Sequence, residues 1–253
     1  MEATQHKEKY LINWIGGKRL LRKTIAPLIP PAENYVEPFG GGAWLLFYKD
    51  KWAKCEVYND LDARLYNLFN IVKYHPEALL KELEFSVYSR DLFNRSLADA
   101  GITDIQKAAT FYYVITHSYG AKGEYFGYYK KDKTKSLKNM HNRIKQVSER
   151  LDSVIIENLD YEELIKKYDH KGAFFYCDPP YSVGYKYKNS KKFDHERLFN
   201  VLTSIQGKFL LSYDASEQIK ELYKGFNISE ASRMQQQTPN NKGIYKEYII
   251  KNF

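Results

Sequence analysis

Short strand-like runs alternating with helical stretches constrain this chain more than any other feature, because that alternation builds a layered α/β sheet. The runs Asn34 to Phe39, Cys55 to Asn59, Ala173 to Cys177 and Phe209 to Tyr213 are apolar or aromatic, and each stops at a polar, Gly or Pro signal. Helical periodicity follows three of them, over Ala43 to Lys51, Asp62 to Tyr74 and Ser216 to Tyr223. From about Pro76 to Arg150 the alternation stops. Amphipathic runs at Tyr88 to Asp99, Asp104 to His117 and Lys135 to Leu151 read as helices there, with no buried parallel strand. The pattern predicts a mostly parallel sheet built from residues 1–74 and 151–253, split by a helical insertion over 75–150. Asn227 to Ala231 and Tyr245 to Lys251 read as a C-terminal antiparallel hairpin with a polar loop between them.

The chain has 253 residues, 43% hydrophobic and 28% charged, which excludes a mainly disordered protein. No apolar stretch approaches the roughly 20 residues of a membrane span. The first nine residues lack an apolar core, so no secretory signal is expected. Two cysteines, Cys55 and Cys177, cannot make a disulfide framework or a cysteine metal site, and a reduced, cytoplasmic setting is predicted.

Charge narrows the partner. The net charge is +8, and 23 residues are Tyr. The excess sits in two blocks, +6 over Lys122 to Arg150 and +3 over Gly184 to Arg197, both interleaved with aromatics. Cations suit phosphates and flat rings suit exposed bases, so both blocks are candidate nucleic-acid contacts; either alone is also explained by a solvated loop. The candidate DNA-binding residues are Tyr119, Lys122, Tyr125, Lys130, Lys131 and Lys133 in the first block or just before it, and Lys186 and Lys188 in the second.

Two motifs carry chemistry. Glu37-Pro38-Phe39-Gly40-Gly41-Gly42 puts three glycines after a strand, where a tight turn lets a ligand approach the backbone. Asp60 follows about 20 residues later at the end of the next strand, the place where a doubly wound fold accepts ribose hydroxyls. The spacing fits an adenosine-containing cofactor, but consecutive glycines do not make the Gly-x-Gly-x-x-Gly fingerprint of nicotinamide dinucleotides. A purely structural glycine turn is the alternative. The second motif, Asp178-Pro179-Pro180-Tyr181, ends a strand and opens a basic, aromatic loop. An adenine amine is a poor nucleophile because its lone pair is delocalised into the ring. A carboxylate (Asp178) and a carbonyl on a stiff Pro-Pro chain (Pro179) can accept its two N–H bonds and favour tetrahedral nitrogen, while Tyr181 offers a stacking face.

With Trp14-Ile15-Gly16-Gly17-Lys18, Glu37-Pro38-Phe39-Gly40-Gly41-Gly42, Asn59-Asp60 and Asp178-Pro179-Pro180-Tyr181 in this order, the sequence resembles the Dam-like DNA N6-adenine methyltransferases over nearly its whole length. The resemblance implies a Rossmann-like class I methyltransferase sheet, S-adenosyl-L-methionine as methyl donor, double-stranded DNA as substrate and a flipped adenine as target. It implies that Trp14, Lys18, Asp60 and Asp178 contact the cofactor, with Lys18 near its carboxylate end and Asp60 on its ribose. Phe39 and Gly41 would wrap the methionine moiety, with Glu37, Pro38, Gly40 and Gly42 in the same loop. Asp178, Pro179, Pro180 and Tyr181 would hold and stack the target base, and a recognition hairpin should fall near Tyr119 to Tyr129. Ala43 stands where the family has the second glycine of Phe-x-Gly-x-Gly, which predicts a turn shifted onto Gly42. The segment around Tyr119 lacks the Asn-Arg and Asn-Gly pairs that go with GATC, so the recognised site is open. So are the oligomeric state and a companion restriction endonuclease. An N4-cytosine or RNA-adenine methyltransferase, or a DNA-binding homologue without catalysis, are the alternatives.

The six histidines show no metal-ligand spacing, and no metal is expected. Cys177 reads as a buried strand-end residue rather than a nucleophile. Asp214 reads as a helix N-cap.

Overall fold

The structure is a computed structural model that describes residues 9–128, 137–181, 193–238 and 241–253. Its seven-stranded sheet has the order β3-β2-β1-β4-β5-β7-β6, with β1 at Asn34–Glu37, β2 at Cys55–Asn59, β3 at Val154–Glu157, β4 at Ala173–Cys177, β5 at Lys208–Asp214, β6 at Asn227–Thr238 and β7 at Asn241–Lys251. β1 runs parallel to β2 and to β4, and β4 runs parallel to β5. β7 pairs antiparallel with both β5 and β6. This is a mixed α/β fold with a mostly parallel sheet, consistent with a class I methyltransferase.

Over the described residues, one compact unit is drawn from the segments 19–40, 51–61 and 159–253, and a second from 1–18, 41–50 and 62–158. The first unit carries most of the sheet and the short helix α1 (Arg22–Ile25). Alternation along its strands sends Val36, Phe175, Cys177, Leu211 and Tyr213 to one face. There they pack on apolar residues of α7 (Tyr161–Tyr168), α8 (His195–Ser204) and α9 (Glu217–Leu222). The opposite face buries Tyr35, Glu37, Tyr176, Ser212 and Glu247. That polar row is unusual for a sheet interior.

The second unit is mainly helical: α2 (Ala63–Tyr74), α3 (Pro76–Leu83), α4 (Arg90–Ala98), α5 (Asp104–His117) and α6 (Leu137–Leu151). Local signals start these helices. Asp62 caps α2, and Thr103 and Gln106 form a reciprocal capping box at the start of α5. Between residues 76 and 150 the described residues hold helices and one isolated bridge, Ser118 to Phe126, in place of a strand.

Four expectations need correction. Ala43 to Lys51 is not a helix; it makes a single 3-10 turn at Leu46–Tyr48. Ala43 has φ +54°, which breaks helical geometry at its start, and burial of Trp44, Leu45, Leu46 and Phe47 in succession followed by exposure of Tyr48 to Lys51 splits the run end from end rather than face from face. β3 was not foreseen, because four residues directly after a helix cannot be told from its continuation by periodicity. The C-terminal strands are longer than predicted and pair nearly to their tips. Finally, Ser216 rather than Asp214 caps α9, accepting from the Ile219 N–H, while Asp214 is the last residue of β5.

Arg150 belongs to this correction too. Counted in the basic block, it is buried, and its guanidinium donates to the carbonyls of Leu46 and Lys49 at 3.0 Å each. It thus supplies the donors that the missing helix would have provided. Arg143 lies over the Tyr10 ring at 4.3 Å. Part of the block's charge is therefore structural. No helix among the described residues is long and apolar enough to cross a membrane. Replacing Arg150 by Met strands the buried Leu46 carbonyl and the part-buried Lys49 carbonyl and should lower the unfolding free energy by about 2 kcal/mol in urea titrations. A loss under about 0.5 kcal/mol, the range of a neutral surface change, would show that those carbonyls do not depend on it.

Candidate active site

Parallel pairing brings like ends together, so the carboxyl ends of β2, β1 and β4 lie side by side. β1 is also where chain order reverses across the sheet, the switch point at which open α/β sheets bind ligands. Three of the sequence motifs arrive there within one unit: Glu37 to Gly40 after β1, Asn59-Asp60 at the end of β2, and Asp178 to Tyr181 after β4.

The β1 end is tightly built. Glu37 is 2% exposed and accepts from the Tyr35 hydroxyl at 2.6 Å. The Gly40 N–H donates to the Asn59 carbonyl at 2.7 Å, which closes the turn onto β2. A Cβ at Gly40 would lie 2.3 Å from the Tyr58 ring and 3.0 Å from the Asn59 carbonyl, so only glycine fits. The Asn59 side chain is a second tie that the sequence reading did not foresee. Its amide donates to the carbonyls of Pro38 (2.9 Å) and Leu159 (3.1 Å) and accepts from the Leu159 N–H (2.8 Å). Phe39 packs at 5.2 Å on Tyr161 and at 5.8 Å on Phe193, which walls this end with aromatic rings. Asp60 is half-buried beside it.

The β4 end holds the acid. β4 is buried along its whole length, Pro179 is buried, Pro180 is exposed and Asp178 is half-buried. The Ser212 hydroxyl donates to Asp178 Oδ1 at 3.2 Å and hydrogen-bonds the Tyr176 hydroxyl at 3.1 Å. A chain of two buried hydroxyls, Tyr176 then Ser212, thus ends on the carboxylate. Tyr181 stacks on Tyr213, centroids 5.9 Å apart and planes 18° apart, and donates its hydroxyl to Glu247 Oε2 at 2.8 Å. Tyr213 in turn hydrogen-bonds His195 Nδ1. Burial first, then the carboxylates of Asp178 and Glu247, push the Tyr181 phenol well above its ordinary value, so it stays protonated and donating. Burial, and then Asp178, also raise the Cys177 thiol, which leaves no reactive thiolate there.

Other predicted residues lie in the second unit. Trp14 packs edge-on against Phe111 at 5.9 Å, and Gly41 runs beneath it with φ +49°. A Cβ at Gly41 would stand 3.0 Å from the indole, and one at Gly42 3.1 Å from the Trp14 Cβ. The turn is not shifted onto Gly42, as Ala43 itself adopts the left-handed backbone. Lys18 is 4% exposed, and its ammonium donates to the Gly16 carbonyl at 3.2 Å. After α5 the chain forms a tight loop. The Tyr119 N–H donates to the Tyr125 carbonyl and the Gly127 N–H to the His117 carbonyl, both at 2.7 Å. Phe126 anchors the loop against Tyr88 (4.9 Å) and Phe93 (5.6 Å). Tyr119 and Tyr125 are 69% and 71% exposed, and Lys122 is exposed with them. Lys130, Lys131, Lys133, Lys186 and Lys188 lie outside the described residues. Among the described residues no cluster of His, Cys, Asp or Glu could hold a metal ion.

Ser212, Tyr213 and Glu247 were missed. A serine inside the apolar run Phe209 to Tyr213 was a usable signal, since a buried hydroxyl needs a partner. Glu247 gave little warning. Because the Gly40 contact is to ring and backbone, Gly40→Ala should cost about 2 kcal/mol or more in denaturant melts, and a change below about 0.5 kcal/mol would show that the turn yields easily.

A family model for D12 class N6 adenine-specific DNA methyltransferases matches residues 14–237. Among curated relatives, Type II methyltransferase M.MjaIII of Methanocaldococcus jannaschii is 26% identical, covering 89% of this chain and 92% of its own. Type II methyltransferase M.CviBI of Paramecium bursaria Chlorella virus NC1A is 25% identical over 88% and 89%. The DNA adenine methylase of Haemophilus influenzae is 23% identical over 96% and 93%. With the family match running through the ends of β1, β2 and β4, the chain belongs to the D12 class N6 adenine-specific DNA methyltransferases.

Proposed function

We propose that this DNA adenine methyltransferase takes S-adenosyl-L-methionine as its methyl donor at the β1 and β2 ends and draws a flipped adenine to the β4 end. The residues fit such a donor. Glycine lets the backbone after β1 come close to a ligand, the buried Glu37 carboxylate suits an ammonium group, and Asp60 at the next strand end suits ribose hydroxyls. Pro38 and Phe39 belong to the same turn, and Trp14, Lys18, Gly41 and Gly42 are proposed as cofactor contacts on the family resemblance. When bound, the donor supplies a sulfonium-activated methyl group.

The chain's own residues do the rest. Asp178 and the Pro179 carbonyl accept the two N6–H bonds, which turns the nitrogen lone pair out of the ring plane and toward the methyl carbon. Developing positive charge on N6 strengthens both bonds, and the surplus N6 proton passes to the Asp178 carboxylate, the basic one of its two acceptors. Pro180 keeps the Pro179 carbonyl from swinging, and Tyr181 stacks the base. An N6 held in a base pair can neither bend nor reach a buried donor, so the adenine must leave the helix.

We also assign DNA recognition to residues 75–150, with Tyr119, Lys122 and Tyr125 on the exposed loop facing the duplex. The basic residues Lys130, Lys131, Lys133, Lys186 and Lys188 would meet phosphates. The type II names of two relatives favour a site-specific modification enzyme; the cytoplasm as its setting and a companion endonuclease as its partner are part of the same proposal.

The observation that carries this reading is the Asp178 carboxylate, bonded by Ser212 at the end of a fully buried strand next to the β1 turn. Incubation with tritiated donor and duplex DNA, followed by digestion to nucleosides, should place label on N6-methyladenosine. Label on cytosine would overturn the adenine assignment for this chain. Asp178→Asn should lower kcat by about 100-fold or more while duplex affinity and melting temperature stay near wild type. Full turnover in that variant would remove Asp178 from the mechanism.

A further inference from the structure

We propose that Glu247 on β7 is a positioning residue for the adenine, acting through Tyr181, an inference that rests on the functional reading above. Tyr181 follows two prolines, so its backbone is stiff, but a tyrosine ring can still turn about its side-chain bonds. Two contacts in this structure stop it. Tyr213 stacks on one face of the ring, with centroids 5.9 Å apart and planes 18° apart, and Glu247 Oε2 takes its hydroxyl at 2.8 Å. Only the other face is left for a base.

Glu247 is well suited to this hold. It is 1% exposed, and its backbone is locked by pairing with Asp214 on β5, one residue beyond the Tyr213–Tyr248 pair. Antiparallel return of β7 along β5 therefore delivers the acid and the ring beneath Tyr181 from one register. Burying a carboxylate is unfavourable, and the Tyr181 hydroxyl is a donor that offsets part of that cost. A charge-assisted O–H···O bond is short and directional, so it sets the plane of the ring as well as its place. It also enriches the ring in electrons, which favours the cationic adenine formed as N6 is methylated.

The test compares Tyr181→Phe, Glu247→Gln, Glu247→Leu and the Tyr181→Phe/Glu247→Leu double variant, with methyl transfer and a duplex carrying 2-aminopurine at the target position as readouts. Tyr181→Phe and Glu247→Leu should each lower kcat about tenfold, the weight of one charge-assisted hydrogen bond, with KM for the methyl donor unchanged. Glu247→Gln keeps a neutral acceptor and should fall between. The double variant should be no slower than either single one, because both remove the same bond. The 2-aminopurine should be brighter in the two slow variants, as the flipped base stacks less well. Full kcat and unchanged fluorescence in Tyr181→Phe, or multiplied losses in the double variant, would overturn the proposal. Should Glu247→Leu fail to fold, Tyr181→Phe and Glu247→Gln decide alone. A wild-type protein that methylates no adenine would instead overturn the functional reading beneath it.

Discussion

Parallel pairing of β1 with both β2 and β4 sets three strand ends about 5 Å apart, and the rest of the chemistry depends on that spacing. Neighbouring strands cannot slide without flipping side chains from one face to the other, so the register is held by the packed face of Val36, Phe175 and Cys177. The core face thereby positions groups that take no part in the core. Each motif is short, and the sheet makes them one place.

The opposite face of the same sheet is polar where one would expect hydrocarbon. Tyr35 binds Glu37, Tyr176 and Ser212 lead to Asp178, and Tyr181 reaches Glu247. Burial raises the phenols of Tyr35, Tyr176 and Tyr181, and the nearby carboxylates raise them further, so each hydroxyl remains a donor. A network of this kind stabilises less than apolar packing of equal volume, but it specifies orientation. Orientation is what an amine aligned against a methyl carbon requires.

Much of this was legible in the sequence, for identifiable reasons. β1, β2, β4 and β5 announce themselves because each is a short run rich in apolar or aromatic residues that stops at a polar, Gly or Pro signal. The motif residues were legible because their chemistry is local: glycine where a Cβ would strike Tyr58, acid before a double proline. What was hidden depended on register. Glu247 becomes the partner of Tyr181 only once β7 returns along β5, and no local pattern in Lys246-Glu247-Tyr248 encodes that pairing. Arg150 misled for a related reason, since its sequence neighbours are basic while its partners, Leu46 and Lys49, are about 100 residues away. Ala43 misled because a non-glycine residue took a left-handed backbone.

A crystal structure of the enzyme with S-adenosylhomocysteine and a duplex bearing its own recognition site puts the arrangement to its most direct test. The target adenine should be out of the helix, with N6 about 3 Å from both the Asp178 carboxylate and the Pro179 carbonyl. An adenine still paired in the duplex, or lodged in a pocket that Asp178 does not reach, would contradict it.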